Sequence, residues 1–154
     1  MRIALRAPNW LGDAVMALPA MAAMRRLFAD DEVTIAGLPS VLTIFQERHD
    51  AQPAGVLAIT GGAGRAAIAS LDAGRFDRIV LFTNSFGSAW AARRAGIRER
   101  WGYGGRGRGG LLTRALPRPS NDERAHHADF YHTLARRIGA IAGVDAAPRL
   151  EARA

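Results

Sequence analysis

The chain has 154 residues, of which 49% are hydrophobic and 23% are charged. This length and composition predict one globular domain with a core of its own and exclude a disordered chain. The sequence has no cysteine, which excludes disulfides and thiolate zinc sites, and no apolar run of about 18 residues that would predict a membrane span. We therefore expect a cytoplasmic protein.

The net charge of +7 is concentrated in one segment. All 21 basic residues are arginine, and eight of them lie between residues 93 and 118, where Glu99 is the one acid. Eight positive charges less one account for the whole net charge, since the other 13 arginines balance the other 13 acids. Such a patch predicts an anionic partner, because the planar guanidinium binds phosphate and carboxylate bidentately. The alternative is a solvated face in a protein rich in arginine.

The predicted elements begin with a buried strand over Arg2–Ala7, a turn over Pro8–Gly12 and a helix that continues to about Phe28. Asp13 is a good N-cap for this helix, since its carboxylate can accept a hydrogen bond from the first turn. Pro19 lies inside the helix and should kink or loosen it, because proline removes a hydrogen bond and crowds the preceding turn.

Strands and helices then alternate along the chain. Further strands are predicted at 32–38, 56–60, 78–82 and 100–103, with helices at 39–46, up to about 73, up to about 94, and from the capping-box pattern at 120–123 to about 141. A glycine–arginine loop occupies 104–110. The alternation predicts an α/β, Rossmann-like fold, a parallel sheet with helices on both faces. Ligands of such sheets bind beyond the carboxyl ends of the strands, which places three segments on one edge: Asn9–Asp13, Gly61–Arg65 and Thr83–Phe86.

Asp13 is the strongest candidate for chemistry. A carboxylate at the start of a helix can take a proton from an attacking hydroxyl, and the preceding Gly12 lets the backbone approach a ligand closely. An aspartate that only caps its helix explains the same pattern. The residues alone leave both interpretations open.

Three other patterns carry weaker signals. Gly61–Gly64 could bind a phosphate through backbone N–H groups, but it lacks the Lys–Ser/Thr ending of a phosphate loop, which favours an ordinary loop. Thr83–Ser85 can cap a helix and bind sugar hydroxyls. The histidines at 126, 127 and 132 lie one, five and six residues apart, whereas ligands on one helical face need intervals of three or four, so no metal site is predicted.

Several segments, in the same order, resemble the lipopolysaccharide heptosyltransferases, glycosyltransferase family nine. The longest are Ala7–Asp13 with Pro19, and Phe76–Ala89. Shorter segments follow in that family's order: Ala95–Ile97, Arg100–Tyr103, Arg108–Thr113, Ala115–Pro119 and His127–Tyr131. The resemblance covers nearly the whole chain, its combination of motifs is specific, and agreement is closest with the heptosyltransferase II branch.

The resemblance implies a GT-B architecture, in which two Rossmann-like domains face each other across a cleft. Residues 1–147 would be the acceptor-side domain, residues 148–154 the start of the interdomain linker, and the C-terminal domain that binds ADP-heptose would be absent. In the implied inverting reaction, which needs no metal or cofactor, a hydroxyl of the inner-core heptose attacks the anomeric carbon and ADP leaves. The isolated chain would bind the acceptor weakly and transfer no sugar.

The resemblance also assigns roles to particular residues. Asp13 corresponds to the catalytic base. Acceptor binding falls to eight further residues: Asn9, Gly12, Asn84, Ser85, Arg106, Arg108, Arg114 and His127. The implied partners are an anionic lipopolysaccharide inner core, whose carboxylates and phosphates suit arginine, and the missing C-terminal domain. Peripheral contact with the inner membrane is left open, and no nucleic acid is expected.

Two alternatives to the transferase remain. The first is a nucleic-acid-binding module built on the 104–110 loop, although Trp101 and Tyr103 are the only aromatics between the arginines and would give few stacking platforms. The second is a non-catalytic interaction protein whose exposed face has become a dimer interface.

Overall fold

The computed structural model describes residues 1–46, 53–60, 62–120 and 127–143. Within these residues the chain forms one parallel sheet of six strands in the order β3-β2-β1-β4-β5-β6. The strands are β1 Arg2–Arg6, β2 Glu32–Gly37, β3 Gly55–Ala58, β4 Arg78–Leu81, β5 Glu99–Tyr103 and β6 Arg114–Leu116. The strand order reverses between β1 and β4, and in open parallel sheets the ligand crevice lies at the carboxyl edge beside such a reversal.

Helices cover both faces of the sheet. In the described residues these are α1 Leu11–Leu27, α2 Pro39–Leu42, α3 Arg65–Ala73, α4 Phe86–Arg94 and α5 His127–Ala142, with 3-10 turns at Thr43–Phe45 and Gly109–Leu111. The first core joins α1, α2 and α5 to Ile3, Leu5 and Val80, and the second joins α3 and α4 to Ala4 and Leu81. Alternate residues of β1 and β4 therefore serve opposite cores, which confirms the predicted α/β fold.

The structure corrects the predicted start of the first helix. α1 begins at Leu11, and its N-cap is Trp10, whose side chain makes no capping hydrogen bond. The backbone N–H of Ala14 already bonds to the Trp10 carbonyl at 2.9 Å, so Asp13 lies inside the first turn. The prediction that Asp13 caps the helix is therefore wrong, and its carboxylate is not used for that purpose. α1 continues through Pro19 as one helix.

The far edge of the sheet contains a strand that the sequence does not predict. β6 has only three residues, two of them exposed, and it is held by pairing with β5. So short a run carries no pattern of its own. The predicted capping box and interdomain linker lie outside the described residues, and α5 begins at His127.

Candidate active site

Asp13 lies at the carboxyl edge of the sheet and is half-buried. The first turn of α1 carries it, and the hydroxyl of Tyr131, on α5, donates a hydrogen bond of 3.2 Å to its Oδ1 atom. α1 and α5 pack side by side over the first core, so this contact follows from helix packing across 118 residues of sequence. The carboxylate is thereby oriented by one neutral donor while part of it remains open to solvent.

Tyr131 packs in a cluster of aromatic rings. Its ring centroid lies 6.3 Å from that of Phe82 and 5.5 Å from that of Phe130, and the Phe130 ring lies 4.6 Å from Tyr103. The Tyr103 hydroxyl donates to the Phe130 carbonyl at 2.7 Å. Burial, and then the Asp13 carboxylate, raise the pKa of Tyr131 above its ordinary value of 10. Tyr131 therefore stays protonated and acts as a fixed donor.

The loop between β1 and α1 is held by a buried arginine. Arg6, the last residue of β1, is 6% exposed; it donates to the Ala7 carbonyl at 2.7 Å and to the Asn9 side-chain oxygen at 2.8 Å. Burial lowers the pKa of Arg6 to about 10. Asn9 itself is exposed, and its amide nitrogen remains available to a ligand.

The turn between β4 and α4 contains a hydroxyl network. Ser85 is the N-cap of α4, and its Oγ accepts the Ser88 N–H at 3.2 Å. The Thr83 hydroxyl donates to the Ser88 Oγ at 2.7 Å. The prediction that Ser85 caps this helix is confirmed. Asn84 is half-buried beside it, and its Oδ1 atom has no hydrogen-bond partner within the described residues.

Arg108 does not belong to a solvated patch. It is fully buried and donates to the carbonyls of Tyr103 at 2.8 Å and Ser85 at 2.9 Å. Burial, and then the charge of Arg118, lower the pKa of Arg108 to about 10. The expectation that Arg108 contacts an acceptor directly is corrected, because its guanidinium is enclosed by its own domain and positions the start of α4 instead.

Two more arginines of the segment, Arg100 and Arg118, have a similar structural use. Arg100 donates to the carbonyls of Leu111 and Ile97, and Arg118 donates to the Gly104 carbonyl. These bonds fasten the segment between β5 and β6 to its surroundings, so the +7 segment is not one continuous binding surface. The exposed arginines of the segment include Arg98, Arg106 and Arg114.

The predicted acceptor residues do not all lie together. Asn9 and Ser85 line one cavity, and Gly12 is exposed at the start of α1. Arg106 lies in the loop beyond the carboxyl end of β5, whereas Arg114 begins the edge strand β6. His127 is the first residue of α5, and its side chain lies outside the described residues.

The structure weakens the nucleic-acid interpretation. Trp101 and Tyr103, which were to provide stacking platforms, are buried in the first core at 7% and 0% exposure. The exposed large aromatics among the described residues are Trp10, Phe86 and Trp90, outside the 104–110 loop. The described part of the chain contains no group of three His, Asp or Glu residues arranged to hold a metal ion, and no helix in it is long and apolar enough to cross a bilayer.

Two residues of this edge are not singled out by the sequence analysis. An arginine at the end of an otherwise apolar, buried strand is unusual, and that signal could have drawn attention to Arg6. Tyr131 carries no comparable local signal, because its contact with Asp13 exists only once α1 and α5 have packed.

Comparison with solved structures identifies the fold. The ADP-heptose LPS heptosyltransferase II of E. coli matches with a TM-score of 0.72 and 24% identity, covering 88% of this chain and 40% of that one. A family 9 glycosyl transferase from Veillonella parvula matches with a TM-score of 0.72 and 13% identity, covering 99% of this chain and 45% of that one. This chain therefore spans less than half the length of the transferases it matches.

The same fold also occurs in a different enzyme. A dodecameric FMN-dependent UbiX-like decarboxylase from E. coli O157:H7 matches with a TM-score of 0.55 and 13% identity, covering 99% of this chain and 100% of that one. No protein-family model and no curated protein sequence matches the chain. At these identities the likenesses show the fold, and function has to be argued from the site.

Proposed function

We propose that this chain is the acceptor-side domain of an inverting glycosyltransferase that transfers heptose from ADP-heptose to the inner core of lipopolysaccharide. The observation that carries the proposal is the position of Asp13, half-buried at the carboxyl edge and held by the Tyr131 hydroxyl. The motif resemblance and the fold shared with two sugar transferases support it. The reaction would take place in the cytoplasm, with peripheral contact at the inner membrane.

In the proposed reaction Asp13 is the general base. Its Oδ1 atom accepts the Tyr131 O–H, which leaves Oδ2 to take the proton from the acceptor hydroxyl. The deprotonated oxygen forms a bond to the anomeric carbon from the face opposite the nucleotide, and the bond to ADP breaks, so that ADP leaves with its electron pair. The donor would be held by a second domain.

The remaining edge residues would bind the acceptor. The side chains of Asn9, Asn84 and Ser85 offer amide and hydroxyl groups for sugar hydroxyls. Gly12 has no side chain and would let the protein backbone approach the acceptor closely. Arg106 is exposed beyond the carboxyl end of β5 and suits the carboxylates and phosphates of the inner core, whereas Arg114 is exposed at the amino end of β6, away from this edge. Arg108 enters this proposal as a positioning residue, because it is buried and binds the Ser85 carbonyl.

The test is a fusion of this chain with the donor-binding half of the E. coli heptosyltransferase II. The assay measures the ADP that is released when heptose is transferred from ADP-heptose to a heptosylated inner-core acceptor. We expect the fusion to be active and the Asp13→Asn variant to lose roughly 10²–10⁴-fold in kcat, the usual contribution of a general base. The KM for the acceptor should change little, because the asparagine keeps the shape of the side chain.

Asp72→Asn is the matched control, since Asp72 is exposed on α3 and its side chain forms no ion pair within the described residues. Its kcat should equal that of the unmodified fusion. Full activity of Asp13→Asn in an active fusion would refute the assignment of the base.

A further inference from the structure

A cavity of about 90 Å³ lies on the face of the sheet opposite Asp13, between the strands and helices α3 and α4. Towards the middle of the sheet its wall is aliphatic, with Ile79 and Leu71. Towards the carboxyl edge the wall is polar and includes Arg6, Asn9 and Ser85. This volume has room for several water molecules and hence for one small polar group.

Among the residues that the structure describes, no acidic side chain forms an ion pair with the arginine at this cavity. The ion pairs found among the described residues are Met1 with Asp31, Arg2 with Glu32 and Arg78 with Glu99, and none involves Arg6. Arg6 is nevertheless only 6% exposed. A buried cation without an anion is energetically unfavourable, so the site gains free energy when an anion enters.

The donors of Arg6 are only partly used. A guanidinium has five N–H groups, and two of those of Arg6 donate hydrogen bonds, one to the Ala7 carbonyl and one to the Asn9 side chain. Three N–H groups therefore have no acceptor within the described residues. Both bonds hold the guanidinium in place at the cavity wall, which fixes the direction of the three that remain.

A second set of donors comes from the start of α4. This helix has nine residues, and the N–H groups of its first turn have no partners within the helix. The Ser88 N–H donates to the side chain of the N-cap, Ser85. Gly87 lines the cavity, and a Cβ at this position would lie 2.9 Å from the Ala63 Cβ on the opposite wall. Glycine therefore lets the first turn of α4 pack closely against Ala63, and the positive end of the helix borders the cavity that both residues line.

From these observations we infer that the cavity beside Arg6 binds an oxyanion, a phosphate or carboxylate group of a small-molecule ligand, through the Arg6 guanidinium and the first turn of α4. The site goes beyond the transfer reaction and does not require it, because Asp13 packs on the other face of the sheet. Asn9 and Ser85 line the cavity at the edge, so an oxyanion bound there would lie beside the proposed acceptor residues.

The inference is tested on the chain itself, in chloride buffer, with inorganic phosphate and acetate as separate probes. Binding is followed by ¹⁵N NMR of the Arg6 Nε–H and the Gly87 amide. We expect saturable shifts of both signals with at least one probe. Saturation by phosphate alone identifies a phosphoryl site, and saturation by acetate as well identifies a general oxyanion site.

Two variants distinguish binding at the cavity from attraction of the probe to the positive charge of the whole protein. Arg6→Met should weaken binding by at least roughly tenfold, since charge-assisted hydrogen bonds are lost. Arg98→Met removes the same charge from an exposed position and should leave the Kd within about twofold, as expected of a distant surface charge.

Arg6→Met should fold, because it replaces an unpaired buried charge with an apolar side chain of similar length. If that variant fails to fold, Arg6→Lys keeps the charge, loses the planar fork and should still weaken binding. The inference is overturned if neither probe saturates, if the Arg6 variants bind as the wild type does, or if Arg98→Met weakens binding as much as they do. Activity of the fusion enzyme decides the transferase proposal separately.

Discussion

At the scale of single residues, the contact between Asp13 and Tyr131 joins a charged group to a neutral donor. Burial is the largest cause of the raised pKa of Tyr131, and the Asp13 charge and the hydrogen bond to it add to the effect. A carboxylate beside a phenol disfavours the phenolate, because two negative charges would then lie together. The tyrosine can therefore support a base at Asp13 without competing with it for the proton.

This contact predicts how Tyr131 titrates. With its pKa raised in the folded state, Tyr131 stabilises the fold fully below pH 10, and the contribution is lost as the pH rises from 10 through the folded-state pKa. Asp13→Asn should lower the pKa of Tyr131 part of the way towards 10, since burial remains. NMR of ¹³Cζ-labelled tyrosine resolves it from Tyr103, the other tyrosine of the chain.

The matched variant for this titration is Asp72→Asn, which removes an acid far from α5 and should leave the Tyr131 curve unchanged. An unaltered curve in Asp13→Asn would mean that the two side chains do not meet in solution. The support that we assign to Tyr131 would then have to be abandoned.

At the scale of elements, Arg108 fastens the segment between β5 and β6 to the start of α4. We expect Arg108→Ala to lower the free energy of unfolding by roughly 2–4 kcal/mol, because it leaves a cavity and deprives the Ser85 and Tyr103 carbonyls of a donor. The exposed Arg106 is the comparison, and Arg106→Ala should change the free energy by less than about 0.5 kcal/mol. Urea denaturation followed by circular dichroism gives both values; equal values would contradict the assigned role.

The room for the Arg108 side chain depends on a glycine in β5. A Cβ on Gly102 would lie 2.9 Å from the Arg108 Nη2 atom and 3.1 Å from the Leu81 carbonyl oxygen. Gly102→Ala should therefore destabilise the fold by about 1–3 kcal/mol through overpacking. At Gly104 the nearest side-chain atom would be 3.5 Å away, an ordinary contact, so Gly104→Ala should have a much smaller effect in the same denaturation experiment.

The elements show how far sequence patterns reach in this chain. The apolar runs predict β1 and β4 to within one residue of their ends, because a buried parallel strand has to be apolar on both faces. β6 escapes prediction, since three residues at an edge are defined by their neighbour alone. Arg108 escapes for a related reason: its segment looks solvated, and only the folded chain shows that the side chain packs against Gly102 and bonds to the Ser85 carbonyl at the start of α4.

At the scale of the whole molecule, one sheet separates two cores. The first core lies under α1, α2 and α5, and the second lies under α3 and α4. The candidate base, Asp13, lies on the side of the first core, and the oxyanion cavity lies on the side of the second. The same sheet lies between them. The two sites are therefore mechanically joined through β1, whose residues alternate between the faces.

This shared sheet predicts that the chain unfolds as one unit. Leu5 and Leu81 are each 1% exposed and lie on adjacent strands, but they belong to opposite cores. Replacing either with alanine should cost about 2–5 kcal/mol, since each change removes buried methyl groups and leaves a cavity. Val15→Ala, at a half-exposed position of α1, should be nearly neutral and controls for loss of side-chain volume.

Cooperativity is the sharper part of this prediction. Urea curves from far-ultraviolet circular dichroism and from tryptophan fluorescence should coincide for the wild type and for both leucine variants, with an unchanged dependence on urea, as in a two-state transition. Trp101 reports on the first core and Trp90, on α4, reports on the second layer. If Leu81→Ala released α3 and α4 in a separate early transition, the two curves would diverge. The sheet would then not couple its two faces, and changes at the cavity would not be transmitted to Asp13.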